Sequence, residues 1–209
     1  MKALHISEAV VRRMPIYLRY LNEMKQAQIA TVSSQELGKR LNLNPAQIRK
    51  DLAYFGEFGK KGIGYDISYL IQKIRQILKL DQIIHVALIG AGNLGQALSN
   101  YNKYLKDNMQ ITAIFDNAPQ KVNTKIHHLS VEPLNVLKQR VKELDIRVGI
   151  ITVPQHEAQS VADLLVEAGI EAILNFAPAI IHVPDHVRIH HADFTAELYS
   201  LAYYLEDEE

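Results

Sequence analysis

Gly90-Ala91-Gly92-Asn93-Leu94-Gly95 is the stretch of this chain whose residue types and spacing have the clearest chemical use. It holds no nucleophile and no acid–base pair. What it offers is bare backbone: a first glycine for a tight turn, a second that lets the main chain approach a phosphate, and a third that lets a helix pack closely. Such a hexamer is weak by itself. Here Ile84-His85-Val86-Ala87-Leu88-Ile89 precedes it and reads as a buried parallel strand, and a helix to about Leu105 follows. The helix N-terminus then faces the phosphates, which makes Gly90, Ala91, Gly92, Asn93, Leu94 and Gly95 candidate ligands of a pyrophosphate. A second strand, Ile111 to Phe115, ends in Asp116, 21 positions beyond Gly95. A carboxylate there accepts from a ribose 2′-hydroxyl and repels a 2′-phosphate, so the expected cofactor is NAD(H) rather than NADP(H).

The elements that must position this site continue in the same style. Helices over 133–143 and 156–168 alternate with strands Val148–Thr152 and Ala172–Phe176. That pattern is a doubly wound α/β domain, expected over 81–193. Ligands of such folds sit beyond the carboxyl ends of the strands. Thr152, Val153, Pro154, Asn175, Phe176, Ala177 and Pro178 stand there and are candidate walls for the nicotinamide half. A last helix, about 195–205, has Leu198, Leu201, Ala202 and Leu205 on one stripe and Tyr199, Tyr203 and Tyr204 over much of the rest. A surface helix should have a polar face. This one is expected to pack into a partner subunit, with Glu206–Glu209 as a solvated tail.

The first eighty residues are different in charge. They hold 14 Lys+Arg against 6 Asp+Glu, and the remainder holds 9 against 17, so a net charge of zero hides a basic part and an acidic part. Met14, Tyr17, Leu18, Leu21 and Met24 predict a helix over 15–27. Ser33 with Glu36 forms a capping box that opens a second helix. Asn44 as cap, Pro45 at the first helical position and Gln47 at the capping-box position open a third, with Ile48, Leu52 and Phe55 on its buried stripe and Arg49 and Lys50 opposite, beside Ala46 and Ala53. Two short helices and a tight turn outline a helix-turn-helix. Small residues beside basic ones suit close approach to a DNA major groove. Phe58 to Tyr65 sets three glycines around Lys60 and Lys61, as in the hairpin tip of a wing that meets phosphates. A further helix over 67–79 leads to a boundary near Leu80-Asp81. The DNA-facing candidates are Ser33, Ser34, Gln47, Arg49, Lys50, Tyr54, Lys60 and Lys61.

Several function classes fall away. Without cysteine there is no disulfide, thiolate metal site or thiol switch, so any redox response must run through a bound cofactor. No run approaches the roughly 18 apolar residues of a membrane helix, and Met1–Arg13 lacks the pattern of a signal peptide, so a cytoplasmic location is expected. A dehydrogenase would need an acid or base, for which His156 is the best candidate, but no stretch remains for a substrate domain, and no enzyme is expected. His182, His186 and His190 are spaced by four, yet Pro184 argues against one helix, and His127-His128 would point to opposite sides of a strand. No metal site is expected.

Taken together these features resemble the Rex family of redox-sensing transcriptional repressors along nearly the whole chain. The specific pieces are Gln47-Ile48-Arg49-Lys50-Asp51-Leu52 continuing to Tyr54-Phe55-Gly56, the glycine-rich wing from Gly59 to Tyr65, Gly90 to Gly95, Thr152-Val153-Pro154, Asn175 to Pro178, and Asp193-Phe194. The resemblance implies an N-terminal winged helix-turn-helix domain over 1–80, a C-terminal Rossmann domain over 81–193, and a terminal helix over 194–209 exchanged within a homodimer. It implies a palindromic operator near genes of fermentation and respiration, released on binding NADH and held with NAD⁺. By position Arg49 and Lys50 match the family's recognition-helix contacts, and Phe194 matches a residue that reaches the partner's nicotinamide pocket. Tyr101 and Asp193 match a pair that interacts differently in the two ligand states. Asn117-Ala118 departs from the second acid that relatives often carry after Asp116.

Overall fold

The computed structural model describes residues 6–54, 59–60, 64–103 and 108–205. The chain divides into two compact units, Met1–Asp81 and Gln82–Glu209.

In the N-terminal unit, α1 spans Glu8–Gln26 and buries Val10, Met14, Tyr17, Leu21 and Met24 at helical spacing. It starts seven residues before the predicted position and runs through Pro15. Pro15 lies on the exposed side, where the carbonyl freed by its missing N–H can turn to water, and the buried stripe continues on both sides of it. β1 (Thr31–Val32) leads to α2 (Ser34–Leu41), where Ser33 Oγ accepts from the Glu36 amide at 3.1 Å. Asn42, in the left-handed conformation at φ 52°, ends α2. α3 (Pro45–Ala53) opens with Asn44 Oδ1 accepting from the Ala46 amide at 2.8 Å. β2 (Gly59–Lys60) and β3 (Gly64–Asp66) are antiparallel, and β1 adds to β3 as the third strand. α4 (Ile67–Ile77) follows, capped by Asp66. Tyr17, Met14, Leu21, Ile48, Leu52, Leu70 and Ile74 form a core from the two long helices, α1 and α4, and α3's inner face. Phe55 and the tip of the wing lie outside the described residues.

The C-terminal unit is one sheet of order β10-β9-β8-β4-β5-β7-β6, parallel except for β6. Its strands are β4 (Ile84–Ile89), β5 (Met109–Asp116), β6 (Lys125–Ile126), β7 (Leu129–Pro133), β8 (Ile146–Ile151), β9 (Ala172–Asn175) and β10 (Arg188–His191). The helices are α5 (Asn93–Asn100), α6 (Leu137–Glu143), α7 (Ala158–Glu167) and α8 (Phe194–Ala202). β4 is central, with β5 on one side and β8 on the other, so the chain leaves it in two directions. That reversal opens the crevice in which doubly wound folds hold nucleotides. Three strands escape the sequence pattern: β6, β7 and β10 are short and carry mixed polarity. His127 and His128 form the turn between β6 and β7, with His127 at φ 56°, rather than facing opposite sides of a strand. α5 ends at Asn100 in a 3₁₀ turn, Tyr101–Lys103, and the predicted end at Leu105 lies outside the described residues.

Candidate functional site

At the carboxyl ends of β4, β5 and β8 lies a cavity of about 600 Å³. The glycine loop is its floor, and each glycine has a different reason to be there. Gly90 has φ +104°, and a Cβ on it would come within 2.5 Å of the Thr152 carbonyl oxygen. A Cβ on Gly95 would come within 1.9 Å of the Gly90 carbonyl oxygen, so α5 packs directly on the turn. Gly92 is the contrary case: a Cβ there would meet nothing within 4 Å. Packing does not require that glycine, whereas a phosphate lying against the backbone does. α5 begins at Asn93 without any side-chain cap, so its first amides are left for an anion. The residues present thus fit a dinucleotide pyrophosphate.

Thr152 closes the turn from β8. Its hydroxyl lies 2.8 Å from the Gly90 carbonyl and 3.0 Å from that of Ile89. Asp116 closes it from β5. Its Oδ2 accepts the Ala91 amide at 2.7 Å and the Lys121 ammonium at 3.0 Å, and its Oδ1 accepts the Ala118 amide at 2.8 Å. Burial alone would raise this carboxyl's pKa; the two amides and Lys121 outweigh it and hold the group below its ordinary value. Asp116 therefore stays ionised beside the cleft.

Gly90, Gly92, Asp116, Asn117, Thr152, Val153 and Pro154 all line this cavity. Ala91 is buried behind it, Gly95 serves packing, and Asn93 and Leu94 are exposed at the start of α5. Asn175 stands differently. It is buried, donates from Nδ2 to the carbonyls of Ala177 and Ala179, and accepts the Ala177 amide. Its amide is spent shaping the Asn175–Pro178 turn, which places Phe176 half-buried and Pro178 exposed. Tyr101 is 60% exposed, and Asp193 caps α8 through the Thr195 and Ala196 amides. Phe194, at the first position of α8, is 75% exposed. Sequence reasoning missed Lys121, Leu134 and Glu157, which also line the cavity. Lys121 carries a weak signal only: it follows the strand-end acid by five positions.

The second candidate surface is α3. Arg49 and Lys50 are exposed, with Ala46 and Ala53 exposed beside them. An Arg49 Nη donates to Ser34 Oγ at 3.1 Å, drawing the guanidinium toward the start of α2. Ser33 is engaged as a cap, and Tyr54 packs partly against the core. Lys60 lies on β2; its side chain, and all of Lys61, are outside the described residues. Gln47 needs correction as a capping-box residue. Its amide donates to Asp51 Oδ1 at 2.7 Å instead of turning back to Asn44.

Asp51 is the reason, and sequence reasoning did not find it. It is fully buried, yet it accepts two bonds from Arg13, at 2.6 and 2.8 Å, and one from the Tyr17 hydroxyl at 2.8 Å. Burial would raise its pKa; the bonds from Arg13, Tyr17 and Gln47 prevail and lower it. Burial, then Asp51 itself, push the Tyr17 phenol up, so Tyr17 remains a neutral donor. The cluster fastens α3 to α1 at a set rotation, with Arg49 and Lys50 outward.

Among the described residues no group of three or more His, Asp or Glu is placed to hold a metal, and no helix is long and apolar enough to cross a membrane.

Comparison with known proteins joins the two surfaces in one chain. Residues 81–179 match the CoA binding domain family, and residues 5–53 match the family described as putative DNA-binding protein N-terminus. The redox-sensing transcriptional repressor Rex of Brevibacillus brevis is 61% identical over 96% of this chain and 97% of its own. RSP, a Rex-family repressor, is similar in structure. Its complex with β-NAD⁺ and operator DNA superposes with a TM-score of 0.89 at 38% identity, covering 95% of this chain and 92% of that one. Its complex with β-NADH gives 0.86 at 36%, covering 96% and 94%. With both units matched and 96% of its length aligned, the chain belongs to the Rex family of redox-sensing transcriptional repressors.

Proposed function

We propose that this chain is a homodimeric repressor that holds a palindromic operator through α3 and the wing and releases it when NADH enters the cleft of the C-terminal unit. The observation that carries this reading is the nearly full-length match to RSP, whose structures include one with β-NAD⁺ and operator DNA and one with β-NADH. The cleft supports it with a glycine open to a pyrophosphate and an ionised Asp116. α3 supports it with two exposed cations beside two alanines.

The dimer rests on α8. None of its residues is buried, and Phe194, Leu198, Tyr199 and Leu201 are 75, 48, 75 and 60% exposed. An apolar helix of this kind is stable when another surface covers it. We assign that surface to a second copy, with α8 exchanged between subunits and Phe194 against the nicotinamide ring. An apolar cover favours the neutral dihydronicotinamide over the cationic ring, because burying an unpaired charge is costly. Only such a difference in affinity between two dimer arrangements can move the DNA equilibrium.

The reading is non-catalytic. His156, the best acid–base candidate, is 79% exposed at its side chain and lies 3.7 Å from Glu157. The match to a named transcriptional repressor over 96% of this chain supports that reading. A cytoplasmic setting, beside DNA and the soluble nucleotide pool, belongs to the same proposal.

The test is a titration of the operator complex with NADH, NAD⁺ and NADPH. Release by NADH alone is expected. Indifference to all three overturns the sensor reading.

A further inference from the structure

We propose that Lys121 is a second reader of the adenosine ribose, and that it forms a latent 2′-phosphate site which Asp116 keeps closed. The inference rests on the NAD(H) reading above and deepens it.

Lys121 lines the cavity together with Asp116, Asn117 and Ala118. Its backbone is fixed from both ends: its amide donates to the Ala118 carbonyl at 2.9 Å, and its carbonyl accepts the Thr124 amide at 3.0 Å and the Thr124 hydroxyl at 2.6 Å. The ammonium reaches Asp116 Oδ2 at 3.0 Å with its side chain 38% exposed, while that of Asp116 is only 10% exposed. The more exposed cation and the more buried carboxylate thus line the same cleft side by side.

Hydrogen-bond capacity divides the work. Oδ2 takes two donors, Ala91 and Lys121, and is filled. Among the described residues Oδ1 takes only the Ala118 amide, so one acceptor direction remains. That direction serves one ribose hydroxyl, whereas a dinucleotide ribose presents two. An ammonium has three donors, and among the described residues Lys121 uses one. The remaining donors point the chemistry the other way, toward a ribose oxygen as acceptor. Carboxylate and ammonium together read a diol as donor and as acceptor.

The same pairing changes the electrostatics. A bare carboxylate would repel a 2′-phosphate strongly in a partly buried site. With an ammonium at 3.0 Å the pair presents a dipole more than a charge, so repulsion is partial. Removing the carboxylate leaves a lone cation in place to receive the phosphate.

The test is a binding cycle on the full-length protein, read as direct affinities for NADH and NADPH, with thermal unfolding to confirm each variant is folded. Lys121→Met is expected to weaken NADH about tenfold, as for one lost charge-assisted hydrogen bond, and NADPH more than that. Lys121→Arg should restore much of the NADH affinity. Asp116→Asn keeps an acceptor for a loop amide and should raise the NADPH-to-NADH preference by about tenfold or more. The double variant Asp116→Asn/Lys121→Met should lose that gain. Equal NADPH affinity in Asp116→Asn with and without Lys121, in protein that binds NADH, overturns this inference alone. Failure of the folded, unaltered protein to bind either nucleotide overturns the NAD(H) reading beneath it.

Discussion

Asp51 and Asp116 are both carboxylates removed from water, and both are held below their ordinary pKa, but different groups hold them. Asp51 is held by side chains, Arg13, Tyr17 and Gln47, two of them from α1 and one from α3. Its side chain is fully buried. Asp116 is held mainly by backbone, the amides of Ala91 and Ala118, and it keeps an acceptor direction at the edge of an open cleft. One acid is closed and joins two helices. The other is open and joins a loop to a ligand. A buried charge by itself is therefore no sign of a binding site; what separates the two is whether its hydrogen-bonding capacity is used up.

The largest expected effect breaks the closed cluster. Asp51→Ala strands the Arg13 guanidinium and the Tyr17 hydroxyl, and should cost about 3 kcal/mol of stability. Urea unfolding measures it, and operator affinity should fall with it because α3 loses its anchor. An unchanged unfolding midpoint would remove the anchoring role. Next in size is a change at the open site that leaves the fold alone. Gly92→Ala has room for its Cβ in the nucleotide-free protein, so the melting temperature should hold while NADH affinity drops by more than about tenfold. Gly95→Ala gives the reverse order of symptoms, since its Cβ would strike the Gly90 carbonyl. Calorimetric titration beside thermal melts separates them.

Smaller still is Tyr17→Phe, which removes one donor of several around Asp51 and should cost about 1 kcal/mol. The smallest effect is with pH. Each of these carboxyls has a folded pKa below its unfolded one, so each contributes stability that is fully present above the unfolded value of 3.8 and is lost as pH falls through the folded pKa. Unfolding free energy should be flat on their account above about pH 5 and decline below it. Asp51→Asn should flatten that decline without touching NADH binding at neutral pH; an unaltered acid slope would mean that Asp51 is not among the groups responsible.

The sequence made local features plain and hid those that depend on distant partners. The Ser33 and Asn44 caps, the strand Ile84–Ile89 and the glycine loop all appear in the structure because each is specified within a few residues. β6, β7 and β10 lack such a signature, being two to five residues long and of mixed polarity. Asp51 adjoins Arg49-Lys50 and so looks like part of a solvated face. Its ion-pair partner lies 38 positions away, where no local pattern can announce it. Lys121 sits in a turn and becomes visible only when β5 and the loop after it enclose the same cavity.

Thr152 has a bearing on the order in which the molecule is made. Its hydroxyl holds the turn at Gly90 from 62 positions further along the chain. Every glycine of the loop, and Asp116, leaves the ribosome before the residue that closes the turn behind them. The N-terminal unit, complete by Asp81, has all its core residues earlier still. A chain arrested before β8 therefore carries a folded N-terminal unit without a finished receptor for the nucleotide, and nucleotide binding to nascent chains of graded length would date the moment at which the two become one regulated molecule.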